Sequence, residues 1–123
     1  MKILFFCVGN TCRSPMAEII FKNMAQKGGK DWVIESAGTF ANEGRPMLDD
    51  ARAALAECGE QLPGTLPVGR QFRMSMYREY DRVVDCRFFP DPVGQGLDAY
   101  IDVCKQLQSS LAALYNEICK TSL

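Results

Sequence analysis

The chain has 123 residues, 47% of them apolar and 24% charged, with a formal net charge of −1, which fits one domain over residues 1–123 with a single core. That balance offers no electrostatic hold on nucleic acid or on an anionic membrane, so anion recognition has to be local to a site. Histidine is absent, which removes Ser-His-Asp and Cys-His catalysis and most zinc sites and leaves proton chemistry to carboxylates, thiols, Lys or Tyr.

Lys2-Ile3-Leu4-Phe5-Phe6-Cys7-Val8 is apolar after its lysine. A run of this length fits a strand covered on both faces and is too short for a signal peptide or a membrane span. Without an export segment, six cysteines read as thiols of a cytoplasmic protein rather than as a disulfide framework. Gly9 to Arg13 is turn-like. Ser14-Pro15 predicts a helix start, with serine able to cap and proline suited to the first helical position. Met16, Ile19, Ile20 and Met24 share one side of that helix, and Gly28-Gly29 stops it.

Trp32 to Ala37 predicts a second strand, ending at Gly38. A loop with Asn42, Gly44 and Pro46 leads to a helix over 48–58, which turns Leu48, Ala51, Ala54, Leu55 and Cys58 inward and ends at Gly59. Residues 61–76, with Pro63, Gly64, Pro67 and Gly69, read as a long surface connection whose Arg70 and Arg73 are solvated. A third strand is expected over 80–84. The last helix, over 97–119, carries one apolar stripe of Tyr100, Ile101, Cys104, Leu107, Leu111, Leu114, Tyr115 and Ile118. Cys58, Cys104 and Cys119 sit at apolar helix positions and read as core. Alternating strands and helices predict an α/β fold, a short parallel sheet with helices on its faces. In such sheets the ligand lies beyond the carboxyl ends of the strands, which points to the loop after strand one.

That loop is Cys7-Val8-Gly9-Asn10-Thr11-Cys12-Arg13-Ser14. A strand-to-helix loop turns several backbone N–H groups toward one point, where the helix N-terminus adds partial positive charge. Gly9 lets the backbone curl, and Arg13 supplies a planar fork for two phosphate oxygens. Such a field favours the thiolate of Cys7, the form that attacks phosphorus. Cys-x5-Arg alone is a weak signal and a buried strand cysteine the ordinary alternative; the position at the first strand-to-helix turn favours an anion site.

Cys7-Val8-Gly9-Asn10-Thr11-Cys12-Arg13-Ser14-Pro15-Met16-Ala17-Glu18 resembles the signature of the low-molecular-weight protein tyrosine phosphatases. Glu35-Ser36-Ala37-Gly38-Thr39 resembles that family's second marker, and Phe89-Pro90-Asp91-Pro92 its late acid loop. The resemblance implies a three-layer sandwich of flavodoxin-like strand order, about four strands or three here. It also implies hydrolysis of phosphate monoesters, protein phosphotyrosine foremost, through a phosphocysteine. Cys7 would be the nucleophile and Arg13 the phosphate clamp, with Val8, Gly9, Asn10, Thr11, Cys12 and Ser14 completing the phosphate loop. Asn10 would hold that loop in shape with Ser36, and the Ser14 hydroxyl would donate to the Cys7 thiolate. Asp91 would be the general acid and then the base for water. Cys12 is either the partner of Cys7 in a reversible disulfide, as the resemblance suggests, or a small residue packing inward. Substrates would be a phosphorylated protein or a small aryl phosphate and the product inorganic phosphate, with no cofactor, no metal and no nucleic-acid or membrane partner. From the residues alone, Asp91 between two prolines reads as a turn aspartate; beside the first motif, in a chain without histidine, it reads as the proton donor.

Two departures from the family pattern stand out. Val93 and Gly94 follow the acid loop where family members carry aromatic rings, which leaves Phe40 and Phe88 as candidate walls of the substrate slot. From Val84 to Phe88 the chain is too short for a parallel crossover, so either the sheet lacks an element or the chain lacks a segment there. Two rival functions fit the same residues: arsenate reduction by a thiol relay, with Cys86 as resolving thiol, and phosphate binding without catalysis.

Overall fold

The apolar run at the start of the chain forms strand β1 (Lys2–Cys7) in the computed structural model, which describes residues 1–121. Ile3, Leu4 and Phe5 have no exposed surface, as a strand covered on both faces requires. β1 pairs in parallel with β2 (Val33–Gly38) on one side and β3 (Arg82–Asp85) on the other, with Phe5 opposite both Ser36 and Val84. The order β2-β1-β3 places the chain reversal at the carboxyl end of β1, where doubly wound sheets bind their ligands. Among the described residues the sheet has three strands. β3 is a half-buried edge, and the chain passes from Asp85 through Cys86 and Arg87 straight into the segment that carries Asp91.

One face of the sheet is covered by α1 (Arg13–Lys27), α2 (Asp49–Glu57) and α4 (Leu97–Thr121). Their apolar sides meet Ile3, Phe5 and Ile34 in one continuous core. Phe5 packs edge-on against Phe21 at 5.4 Å, and Phe21 continues into Trp32 and Tyr115. Each fully buried ring or branched side chain contributes roughly 1.5–3 kcal/mol of transfer free energy. The stripe on α4 is as expected, with Val103 added to it. Among the described residues, no helix is long and apolar enough to cross a membrane.

Two expectations are corrected here. The first helix begins at Arg13, and Ser14 does not cap it: there is no side-chain cap, because the Ser14 hydroxyl is turned under the preceding loop. Residues 61–65 are exposed, as expected of a surface connection, but Phe72 and Met76 are not free. They cover the second face of the sheet, where Met76 of the short helix α3 (Met76–Glu79) and Tyr80 pack on Leu4 and Ala37, and Phe72 stacks on Phe6 at 4.7 Å. Phe72 N–H donates to Gly38 O at 2.7 Å, which fastens this segment to the end of β2. Arg70 is engaged rather than solvated, donating to the Tyr80 hydroxyl at 3.0 Å and pairing with Glu35 at 3.5 Å.

Candidate active site

β1 ends at Cys7 and α1 begins at Arg13, so residues 8–12 must carry the backbone from sheet to helix. Four carbonyls around this loop are taken up by the backbone that surrounds it. Cys7 O accepts from Thr39 N–H at 2.9 Å, Val8 O from Phe40 N–H at 2.9 Å, Thr11 O from Leu48 N–H at 3.0 Å and Cys12 O from Met16 N–H at 2.9 Å. None of the N–H groups of residues 8–12 donates to a group of the described residues, while the Arg13 N–H turns to the Cys12 sulfur. A loop whose oxygens are anchored outward leaves its amides facing the concave side, and at a helix N-terminus that is an anion nest.

Asn10 makes the curl possible. Its φ of 56° lies in the left-handed region, which asparagine tolerates better than most residues and which persists only when neighbours hold it. Here they do. Asn10 Nδ2 donates to Ser14 Oγ at 2.8 Å and Ser36 Oγ at 3.1 Å, and Asn10 Oδ1 accepts from Arg70 N–H at 3.0 Å. Ser36 Oγ in turn donates to Glu18 Oε1 at 2.7 Å, and Glu18 Oε2 accepts from Lys22 at 2.7 Å. This buried polar chain is satisfied from end to end, the condition under which such networks make a structure rigid. Sequence reasoning missed Glu18 and Arg70 as members of it. Ser36 was the available signal: a hydroxyl in an otherwise buried strand needs a partner.

Gly38, opposite Cys7 in the sheet, has a steric reason to be glycine. A Cβ there would collide with the Val8 carbonyl oxygen and sit 2.9 Å from the Asn10 nitrogen, both backbone atoms that cannot swing away. Gly38→Ala is expected to cost about 1–3 kcal/mol, read as a lowered midpoint in a thermal melt.

Ser14 lies beneath the loop, fully buried, with its Oγ 2.9 Å from Cys7 Sγ and 3.2 Å from Ala37 O. Arg13 is buried beside it. Its Nη1 donates to Phe89 O at 2.9 Å and to Arg87 O at 3.4 Å, so the guanidinium ties the loop to the 89–92 segment. Arg13 Nε is buried and has no partner among the described residues. Over these groups opens a cleft of ≈ 250 Å³, lined by residues 7–13 together with Phe40, Asp91 and Val93. Asp91 Oδ1 accepts from Val93 N–H at 3.2 Å, and its carbonyl accepts from Gln95 Nε2 at 3.1 Å. The short passage from β3 therefore still delivers Asp91 to the cleft. Phe40 (86% exposed) and Val93 (52%) form the rim. Phe88, 87% exposed, lies outside the cleft and is not a wall of it.

Cys7, Cys12 and Cys86 are buried free thiols. Burial first, and the charge of Cys7 second, push the Cys12 thiol up to about 12. Burial, again followed by Cys7, pushes Cys86 up as well, so the resolving role considered for it would fall to a thiol that is 1% exposed and reluctant to ionise.

The family model for low molecular weight phosphotyrosine protein phosphatases matches residues 2–87. The chain belongs to that family. It is 30% identical over 143 aligned positions to a protein-arginine-phosphatase of Bacillus subtilis, covering 98% of this chain and 95% of the relative. It is 51% identical over 126 positions to the low molecular weight protein-tyrosine-phosphatase PtpB of Staphylococcus epidermidis, covering 81% and 86% of the two chains. The crystal structure of a low molecular weight protein tyrosine phosphatase from T. tengcongensis superposes with a TM-score of 0.85 at 29% identity, covering 95% of this chain and 99% of that one. The Bacillus alignment is longer than this chain, and the family match stops at Arg87, just before the segment that carries Asp91.

Proposed function

We propose that this chain removes phosphoryl groups from phosphorylated proteins by passing them first to Cys7 and then to water. The observation that carries this reading is the ring of unengaged loop amides, with the unpartnered Arg13 Nε, set around the sulfur at the end of β1. Cys7 Sγ attacks phosphorus as the bond to the leaving group breaks. The amides of residues 8–12 and the Arg13 fork hold the non-bridging oxygens, where charge must be stabilised for transfer to proceed. Ser14 Oγ stands close enough to support the sulfur anion, and Asn10, through Ser36, keeps the loop curled. Asp91 gives its proton to the departing group, then takes one from the water that cleaves the S–P bond and releases inorganic phosphate. Six free thiols suit a reducing compartment, and we place the chain in the cytoplasm.

Phosphotyrosine is the first substrate class. A second reading, phosphoarginine, is favoured by the rim: it carries one exposed ring, Phe40, with Val93 facing the same cleft. One ring can stack on a flat guanidinium, whereas a slot for a phenyl group is better formed by two walls. The relative aligned with nearly the whole chain is named a protein-arginine-phosphatase. Either leaving group needs a proton, on oxygen or on nitrogen, and Asp91 serves both.

The test is phosphate release from an aryl phosphate, followed by kcat/KM on matched phosphotyrosine and phosphoarginine peptides. Release from at least one substrate is expected, and the ratio of the two peptides assigns the class. No release from any of the three would overturn the reading. Asp91→Asn is expected to lower kcat/KM, which reports transfer to Cys7, by roughly 10²–10³-fold on phenyl phosphate, and much less on a nitrophenyl ester whose phenolate leaves without help. An equal loss on both esters would remove Asp91 from the proton-transfer role.

A further inference from the structure

We propose that Cys58 and Cys104 form a dithiol that closes to a disulfide between α2 and α4 under oxidising conditions, a modification site separate from the phosphate cleft. Two contacts bracket the pair. Cys58, at the C-terminal cap of α2, directs its Sγ to Ile101 O at 4.0 Å, and its own carbonyl accepts from Gln108 Nε2 at 3.0 Å. Ile101 and Gln108 lie about one turn either side of Cys104 on the same face of α4. Cys58 therefore abuts the turn that carries Cys104. After burial, Cys58 is the neighbour that most raises the Cys104 thiol pKa. Gln108 also donates to Glu60 at 2.7 Å, pinning the chain just beyond Cys58. An S–S bond of about 2.05 Å joins cysteines whose Cα atoms are roughly 4.4–6.8 Å apart, and the contacts to Ile101 and Gln108 hold Cys58 against the turn of α4 that carries Cys104.

The two sulfurs differ in access. Cys58 is half-buried and Cys104 has no exposed surface. Burial raises the Cys104 thiol pKa, so Cys58 is the point of entry. With the disulfide of a small thiol such as oxidised glutathione as oxidant, Cys58 as thiolate attacks one sulfur and expels the other as thiolate. The Cys104 sulfur, giving up its proton, then attacks Cys58 in the mixed disulfide and expels the second small thiol. The protein loses two hydrogens and the oxidant is reduced to two thiols. α2 starts beside the phosphate loop, where Leu48 N–H donates to Thr11 O, and α4 follows the acid loop. The bond thus fastens the helix that starts beside the loop of residues 8–12 to the helix that follows the segment carrying Asp91.

The experiment is non-reducing peptide mapping of the full chain after incubation with oxidised glutathione and alkylation of free thiols, with thermal melts alongside. A linked Cys58–Cys104 peptide, reversed by dithiothreitol and absent in Cys58→Ser, is expected, with a midpoint raised by roughly 5–10 °C in the linked protein. Recovery of both cysteines as alkylated thiols, or of Cys58 only as its glutathione adduct, would overturn the proposal. Mass and melting temperature are independent of turnover, so this proposal and the phosphatase reading stand or fall separately.

Discussion

Cys7→Ser reduces phosphate release from aryl phosphates to the uncatalysed level, a loss of roughly 10⁴-fold or more, while the protein still folds and still binds inorganic phosphate. A serine hydroxyl needs a base to become a nucleophile. The chain has no histidine, and the group beside the sulfur, Ser14 Oγ at 2.9 Å, is itself a hydroxyl. The anion nest is made of backbone amides and Arg13, none of which the substitution touches. Turnover and binding should therefore separate cleanly, with turnover read by phosphate release and binding by calorimetry with inorganic phosphate. Retained turnover would exclude the sulfur as the attacking atom.

Arg13→Lys comes next in size, and its effect has two parts. Lysine keeps one positive charge but loses the planar fork that can hold two oxygens at once, a loss on the order of 10²–10³-fold in kcat/KM when a transition-state donor is removed. It also gives up the bond from Nη1 to Phe89 O, the direct tie between the phosphate loop and the segment carrying Asp91. The two residues should therefore be coupled: Asp91→Asn should cost less in the Arg13→Lys background than in the native chain. A double-mutant cycle on phenyl phosphate measures this coupling. Strict additivity would mean that the guanidinium positions only the phosphate.

The parts legible from the sequence are those in which local pattern and tertiary role agree. Lys2 to Val8 reads as a buried strand because burial on both faces removes alternation, and the last helix reads from its stripe because one face meets the core. The loop from Cys7 to Arg13 reads as a strand-to-helix turn because Gly9 and the Ser14-Pro15 helix start flank it, and its reading as an anion site is the proposal made above. What was illegible depends on partners distant in the chain. Glu18 looks like an ordinary helical glutamate until Ser36 donates to it. Arg70 looks solvated until Asn10 accepts its backbone N–H and Glu35 pairs with its side chain. Residues 61–76 contain the turn formers of a surface loop, yet Phe72 and Met76 cover the second face of the sheet, and only Phe6 and Leu4 on β1 create the need for that cover. Ser14 carries the residue type of a cap, but the sulfur beneath the loop and Asn10 claim its hydroxyl first. The missing crossover was visible as a length. That the shorter path still brings Asp91 to the cleft depends on the Phe89 carbonyl meeting Arg13, a contact between residues 76 positions apart.

The account turns on a sulfur that takes up the phosphoryl group inside a cradle of amides. The most direct test is acid quenching of Asp91→Asn during turnover of a nitrophenyl phosphate, followed by mass mapping of every cysteine peptide. One phosphoryl group on Cys7 and on no other residue is the predicted result. Phosphate released with Cys7 never modified, or a phosphoryl group found on a different side chain, would contradict it.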